Sequence, residues 1–152
     1  MVKKHVSFGF MNGQMGRLHR VILAEKLKTM GITYAQVGFM MQALRHPGKS
    51  QDEISLVLSV DKAATARAVA KLIEEGFLYR EENPENRRQK LVYPTEKAKA
   101  IDEELHFELR SANEIMLSGL SKDEADTLMR LMAQVIDTSR EKLEMPNVWD
   151  ML

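Results

Sequence analysis

Apolar residues recur at three- and four-residue spacing along most of the chain, which is the pattern of amphipathic helices. Residues at the ends of these stripes set their limits. Thr33, Ser50 and Ser121 each open a capping box, and Gly76 stands where a helix-ending glycine would. The predicted helices cover about 7–29, 34–45, 51–58, 62–75, 96–117 and 122–144. The chain is therefore predicted to be mainly α-helical.

The spacing changes from helical to strand-like after Gly76. Residues 77–80 and 90–93 are rich in aromatic and branched side chains, and the polar stretch 82–88 between them contains the turn-forming pair Asn83-Pro84. This pattern predicts a short β-hairpin with a long charged tip. Two short helices followed by a hairpin form a winged helix-turn-helix, in which the second helix of the pair enters the major groove of DNA.

The long helices at the two ends do not fit a winged module alone. Their apolar stripes need a partner, and a second copy packing as a symmetric dimer would supply one. We expect a winged helix-turn-helix DNA-binding domain over 33–94 and a helical dimerisation region made of 1–32 and 95–152. The two parts form one compact chain, because no linker separates them.

The amino-acid composition excludes several kinds of covalent bond, metal site and catalytic group. The 152 residues include no cysteine, which excludes disulfides, thiolate metal sites and cysteine nucleophiles. The histidines show no metal-ligand spacing, and no arrangement of Ser, His and Asp suggests catalysis, so we expect no metal, no cofactor and no enzyme activity. No apolar run has the length of a membrane helix, and the first residues lack a secretory apolar stretch. These features favour a cytoplasmic protein without a membrane partner.

The net charge of zero conceals an asymmetry. Residues 1–100 hold 17 Lys and Arg against 10 Asp and Glu, whereas residues 101–152 hold 5 against 12. The first part could meet a polyanion while the second repels it. Chance clustering of charge is the alternative interpretation.

The segment from Asp61 to Leu78, continued by residues 80–95, resembles the MarR (multiple antibiotic resistance regulator) family of bacterial and archaeal transcription regulators. A recognition helix, a glycine, a strand, a basic wing and a threonine cap follow one another in the family's order and spacing. The match spans about residues 8–143. The resemblance implies a homodimer built from the terminal helices, a pseudo-palindromic site in double-stranded DNA, and often release by a small-molecule effector. It favours a repressor.

Two wing positions depart from the family pattern. Asn83 and Asn86 stand where aspartates are usual, and the aspartate aligned with Asn86 commonly pairs with an arginine two positions on, here Arg88. Asn86 can still form hydrogen bonds but brings no charge. We therefore expect a looser wing that repels phosphate less.

The DNA contacts follow from the resemblance and from side-chain chemistry. The resemblance implies that a wing arginine, Arg87 or Arg88, enters the minor groove, the alternative being a solvated hairpin tip. Arg67 on the fourth helix can bind guanine or phosphate, whereas the exposed alanines beside it offer only methyl groups, which predicts few polar base contacts. The predicted DNA-binding residues are Ser50, Gln51, Lys62, Ala63, Ala66, Arg67, Lys71, Arg87, Arg88 and Lys90.

Some of these positions have a second explanation. Ser50 and Gln51 begin the third helix and could bind phosphate there, but plain capping is equally expected and both roles can hold at once. Lys62 and Lys71 suit contacts with the DNA backbone, and Lys90 suits a phosphate contact.

Methionines mark a candidate effector site. The resemblance implies an effector cavity between the dimer helices and the winged part. Met11, Met15, Met40 and Met41 lie on the first two helices near that place, and methionine adapts to varied apolar ligands. Plain core and dimer packing is the alternative.

A different class of function stays open from the sequence. A winged dimer could bind a protein and not bind DNA specifically. The exposed alanines and the two wing asparagines favour this alternative, whereas Arg67, Arg87 and Arg88 argue against it.

Overall fold

The computed structural model describes residues 6–151, so the predicted dimerisation region extends past it at residues 1–5 and 152. The described chain is mostly helical with one small sheet. In chain order the elements are α1 (Phe8–Thr29), α2 (Tyr34–Arg45), β1 (Lys49–Ser50), α3 (Gln51–Leu58), α4 (Lys62–Glu74), β2 (Leu78–Asn83), β3 (Asn86–Pro94), α5 (Glu96–Ala100), α6 (Asp102–Leu117) and α7 (Lys122–Lys142). A single turn of 3-10 helix, Trp149–Met151, follows α7. The mainly helical winged fold predicted from the sequence is confirmed.

The core of the winged part lies where α2, α3 and α4 pack against the sheet. The α4 residues Thr65, Val69 and Leu72 point into this core, as the apolar spacing of the helix predicts. Burying one face of α4 leaves its opposite face free for a partner.

The sheet is antiparallel and has the order β1-β3-β2. Its first strand was missed in the sequence, since two residues cannot show an alternating pattern. Lys49 pairs with Val92 and Ser50 with Leu91. Gly48, with φ +88°, leads into this strand, and a Cβ there would lie 3.1 Å from the Tyr93 hydroxyl. Only glycine fits both demands without strain.

The predicted helix over 96–117 is wrong in one respect: the chain breaks it into α5 and α6 at Ile101. Ile101 has φ −99° and ψ 0°, and its amide donates to the Ala98 carbonyl in a tight turn. Ala98 is fully buried in the core. Asp102, Glu103 and Glu104 then fill the first turn of α6, where negative charge favours a new helix start.

The helical part leaves much apolar surface uncovered. Helix α1 packs on α6, with Leu23, Leu27 and Leu105 buried. Further along the predicted stripe of α1, Phe8 and Leu18 are exposed. Helix α7 makes little contact with the rest of the described chain and exposes Met129, Leu131, Val135 and Ile136. Within residues 6–151, no helix combines the length and apolarity needed to cross a membrane.

Candidate nucleic-acid interface

Helix α4 presents a mostly small-residue face to solvent. The Asp61 carboxylate caps the helix by accepting a hydrogen bond from the Ala64 amide at 2.8 Å. Ala63, Arg67 and Ala70 are exposed on the side opposite the core, and Ala66 is half-buried. The face can therefore approach a flat or grooved surface closely, with one cation at its centre.

The turn before α4 fixes how the helix leaves α3. Ser59 ends α3 in the left-handed conformation, with φ 53°. The Val60 amide donates to the Ser55 carbonyl at 3.1 Å, which closes the turn. Ser59, Val60 and Asp61 thus form the short link of the helix-turn-helix that was predicted from the sequence.

A bulge in the wing displays its arginines. Glu82 of β2 pairs with Lys90 of β3, but the next residue, Asn83, pairs with Asn86. Residues 87–89 therefore have no backbone pairing partner on β2. This extra length on β3 bends the strand outward. Arg87 and Arg88 lie in the bulge and are exposed. The sequence predicted the hairpin but not this local geometry.

The two wing asparagines order the tip with neutral hydrogen bonds. Asn83 Oδ1 accepts from the Glu85 amide at 3.0 Å, and its Nδ2 donates to Gln89 Oε1 at 2.8 Å. Asn86 Oδ1 accepts from the backbone amide of Arg88 at 3.2 Å. Asn86 thus binds the backbone of Arg88 and leaves its guanidinium available.

The lysines of the candidate interface form ion pairs with carboxylates, whereas three of its arginines do not within residues 6–151. Three lysines are paired with carboxylates through Nζ. Lys62 lies 2.8 Å from Asp52 Oδ2, and Lys71 lies 3.0 Å from Glu74 Oε2. Lys90 lies 2.8 Å from Glu82 Oε1. These pairs raise the pKa of Lys71 and lower the pKa of Glu82, chiefly through the hydrogen bond in each pair. Within residues 6–151, the side chains of Arg67, Arg87 and Arg88 have no such partner. The arginines therefore carry the unmatched positive charge of this face.

Ser50 is built into the protein as a cap. It is buried, its hydroxyl accepts from the Glu53 amide at 3.2 Å, and it donates to Glu53 Oε2 at 2.6 Å. The hydrogen bonds that the Ser50 hydroxyl and the Ser50 backbone amide donate to the Glu53 carboxylate lower the pKa of Glu53. Gln51, next in the chain, accepts a hydrogen bond from Arg80 at 3.1 Å. Arg80 was missed in the sequence. Its only signal was an exposed cation on β2, which this contact brings to the start of α3.

We expect Ser50→Ala to lower the free energy of unfolding by about 1 kcal/mol or more, since it removes a buried helix cap. Urea unfolding followed by circular dichroism measures this loss. Ser121→Ala is the matched control, because Ser121 opens the capping box of α7 but is exposed. Equal losses for the two variants would contradict the structural importance of the buried cap.

A cleft of about 740 Å³ lies among α1, α6, α7 and the start of α2. His19 Nδ1 lies 2.8 Å from the Tyr34 hydroxyl, and the Arg20 guanidinium lies 5.4 Å from the Tyr34 ring centre. Burial lowers the pKa of His19, and its Nε2 has no hydrogen-bond partner in the described chain. Arg17 also lines this cleft, so the lining includes two arginines and a histidine.

The methionines of the cleft are mostly not those named from the sequence. Of the four, only Met15 lines it, together with Met116, Met129 and Met132. Met40 is fully buried, Met41 packs against the same core, and Met11 is exposed elsewhere on α1. Helical spacing places all four residues on α1 and α2, but it cannot tell which side of each helix faces a cleft.

The amino-acid sequence is similar to those of known proteins. The model of the MarR family matches residues 32–90. The uncharacterised HTH-type transcriptional regulator YybA of Bacillus subtilis is 28% identical over 123 residues, covering 81% of this chain and 82% of that protein. This relative is named as a transcriptional regulator.

Solved structures share the fold over most of the chain. The transcriptional regulator SlyA superposes with a TM-score of 0.86 and 28% identity, covering 91% of this chain and 98% of that one. A mutant MarR from E. coli, complexed with operator DNA, superposes with a TM-score of 0.77 and 28% identity, covering 84% and 91%.

Proposed function

We propose that the chain is a winged-helix transcription regulator of the MarR family, and that it acts as a homodimeric, ligand-responsive repressor of a pseudo-palindromic DNA site. The observation that carries this proposal is the combination of an exposed, small-residue α4 face with two arginines in the wing bulge that have no carboxylate partner among residues 6–151. Each α4 enters a major groove about one helical turn from its twin. Each wing reaches the flanking minor groove, where Arg87 and Arg88 meet a concentrated negative potential.

Sequence preference in this proposal rests more on DNA shape than on polar base contacts. Arg67 is the one side chain on the outer face of α4 suited to a bidentate contact with guanine. Ala63, Ala66 and Ala70 can touch thymine methyl groups but cannot form side-chain hydrogen bonds. Lys62, Lys71 and Lys90 exchange their carboxylate partners for phosphate, while Ser50 and Gln51 place the start of α3 against the backbone.

The helical part provides the dimer. Exposed apolar side chains on α1, α6 and α7 are too many for a surface that stays in water. A second copy of the chain, related by a two-fold axis, covers these helices with the same surface of its own. This arrangement assigns 33–94 to DNA binding, and 1–32 with 95–152 to dimerisation.

The experiment that tests the proposal is selection of bound sequences from a pool of random duplexes at two salt concentrations. We expect an inverted repeat with half-sites about one turn apart. Binding weakens by several orders of magnitude between low and moderate salt, since counterions are released from each neutralised phosphate. Binding without any enriched sequence would contradict the repressor and favour the protein-interaction module.

The cleft beside Tyr34 suits a small aromatic carboxylate as effector. Much of its lining is apolar and methionine-rich, and Arg17, Arg20 and His19 provide cationic or hydrogen-bonding groups. Its lining comes from the helical part and from α2 of the winged part, so a ligand bound there favours one arrangement of the two. A ligand that favours the wrong spacing of the recognition helices releases the DNA.

Benzoate is the probe for this site, and benzamide is its uncharged control. We expect benzoate to raise the melting temperature and benzamide to have a smaller effect, because a charge-assisted hydrogen bond contributes about 1.5–3 kcal/mol. Arg20→Ala should remove most of the difference in thermal-shift titrations. A benzoate effect that survives both Arg17→Ala and Arg20→Ala would place the binding elsewhere.

A further inference from the structure

One buried guanidinium joins the last long helix to the helix-turn-helix. Arg140 of α7 is 6% exposed. Its Nε donates to the Pro146 carbonyl at 2.7 Å, one terminal nitrogen donates to Ser59 Oγ at 2.7 Å, and the other donates to the Leu56 carbonyl at 2.9 Å. Two of these three acceptors lie at the end of α3, where the chain turns towards α4.

The chemistry of the acceptors makes this contact specific to arginine. The Leu56 carbonyl lies in the last turn of α3, where the helix dipole is negative and favours a cation. The three donors point in fixed directions from one plane, which a lysine ammonium cannot reproduce. Ser59 holds a left-handed conformation, and its hydroxyl is fixed by the Arg140 contact.

The chain after α7 extends the same contact along the winged part. We call residues 143–151 the C-terminal strap. Glu144, with φ 54°, turns the chain so that the Pro146 carbonyl faces Arg140. Val148 is buried, and Lys49 Nζ donates to the Met151 carbonyl at 2.5 Å. The strap therefore spans from the α3–α4 turn to strand β1.

This connection matters because α7 otherwise makes little contact with its own chain. Among the described residues of α7, Arg140 is the only one that is buried. If α7 belongs to the dimer, the position of Arg140 sets the position of the turn, and the turn sets the direction of α4.

We propose that Arg140 is a positioning residue that fixes the distance between the two recognition helices of the dimer. The inference rests on the proposed function, because it needs a dimer in which α7 takes part. By holding the two recognition helices at one distance, the Arg140 side chain lets the dimer select half-sites at one spacing.

The absence of cysteine allows a direct test on the whole protein. Ala70→Cys places one spin label on the exposed face of each α4, and dipolar spectroscopy then measures the distance between the two labels. We expect a narrow distance distribution in the parent protein and a clearly broader one in Arg140→Ala. Arg130→Ala is the matched control, because Arg130 is an exposed arginine on the same helix, and its distribution should stay narrow.

Arg140→Lys covers the case in which the alanine variant does not fold. It keeps the charge and most of the stem but loses the three-way fork, so it should also broaden the distribution. Ser59→Gly removes one acceptor while relieving the left-handed backbone, so it should broaden the distribution less. An unchanged width in both Arg140 variants would overturn the proposal.

DNA binding provides the second readout. On duplexes whose half-sites are moved apart by one or two base pairs, the parent protein should lose at least tenfold in affinity, and the Arg140 variants should lose less. A uniform loss at every spacing would show a merely structural role and overturn the inference alone. Absence of a dipolar signal in the parent protein would instead overturn the homodimer, and with it the proposed function.

Discussion

Replacing both Arg87 and Arg88 with alanine should weaken specific DNA binding by about 100-fold or more at moderate salt, because each cation in a groove is worth on the order of 1–3 kcal/mol. The loss is large because these two side chains have no competing carboxylate within the described chain and lie in a bulge that presents both outward. A dimer carries two wings, so the substitution removes four positive charges from the complex.

Fluorescence anisotropy with a labelled operator, repeated at several salt concentrations, measures both the loss and its origin. The slope of affinity against salt should fall by about one for each arginine that neutralises phosphate. Sedimentation should still show the dimer. The matched control is Lys122→Ala with Lys142→Ala, which removes the same charge from the two ends of α7. If this control weakened binding equally, net charge and not the wing would explain the effect.

Replacing Leu131 and Val135 with glutamate should dissociate the dimer and abolish operator binding at nanomolar protein. The two residues are one turn apart on α7 and are exposed in the single chain. Burying an unpaired carboxylate in an apolar interface costs several kcal/mol. Each dimer would bury four of them, and a single half-site gives little specific affinity.

Analytical ultracentrifugation and circular dichroism together test this prediction. The variant should sediment as a folded monomer. Leu131→Ala with Val135→Ala is the control, because it shortens the same two side chains of α7 without adding charge, so it should weaken the dimer less. A dimer that survives the two glutamate substitutions would place the interface away from this face of α7.

The helices and the wing could be predicted because their determinants are local. The Thr33, Ser50 and Ser121 capping boxes all form as the sequence indicates. The inward residues of α4 follow from their spacing alone. The order of helix, turn, helix and hairpin then suffices to identify a winged fold.

Features that depend on contacts between distant residues could not be predicted. Strand β1 exists only because Val92 and Leu91 of β3 pair with it. The wing bulge depends on register between two strands, which alternation does not reveal. No local pattern distinguishes Arg140 from the other charged residues of α7, because its partner Ser59 is 81 residues away in the chain.

The cleft illustrates the same limit at a candidate site. The cleft is lined by α1 together with α6 and α7, and no local sequence pattern describes how these helices pack. His19 and Arg20 become part of a candidate site only because the fold places Tyr34 beside them.

The break at Ile101 has a mechanical consequence. Helix α5 stays with the winged body through the buried Ala98, whereas α6 belongs to the helical body. The backbone crosses between the two bodies near residues 30–33 and at Ile101, and the C-terminal strap returns to the winged body after α7. The Arg140 contacts reinforce this third connection. Three separate connections hold the two bodies at one angle, so a ligand or a DNA duplex that changes this angle must also strain the Arg140 contacts.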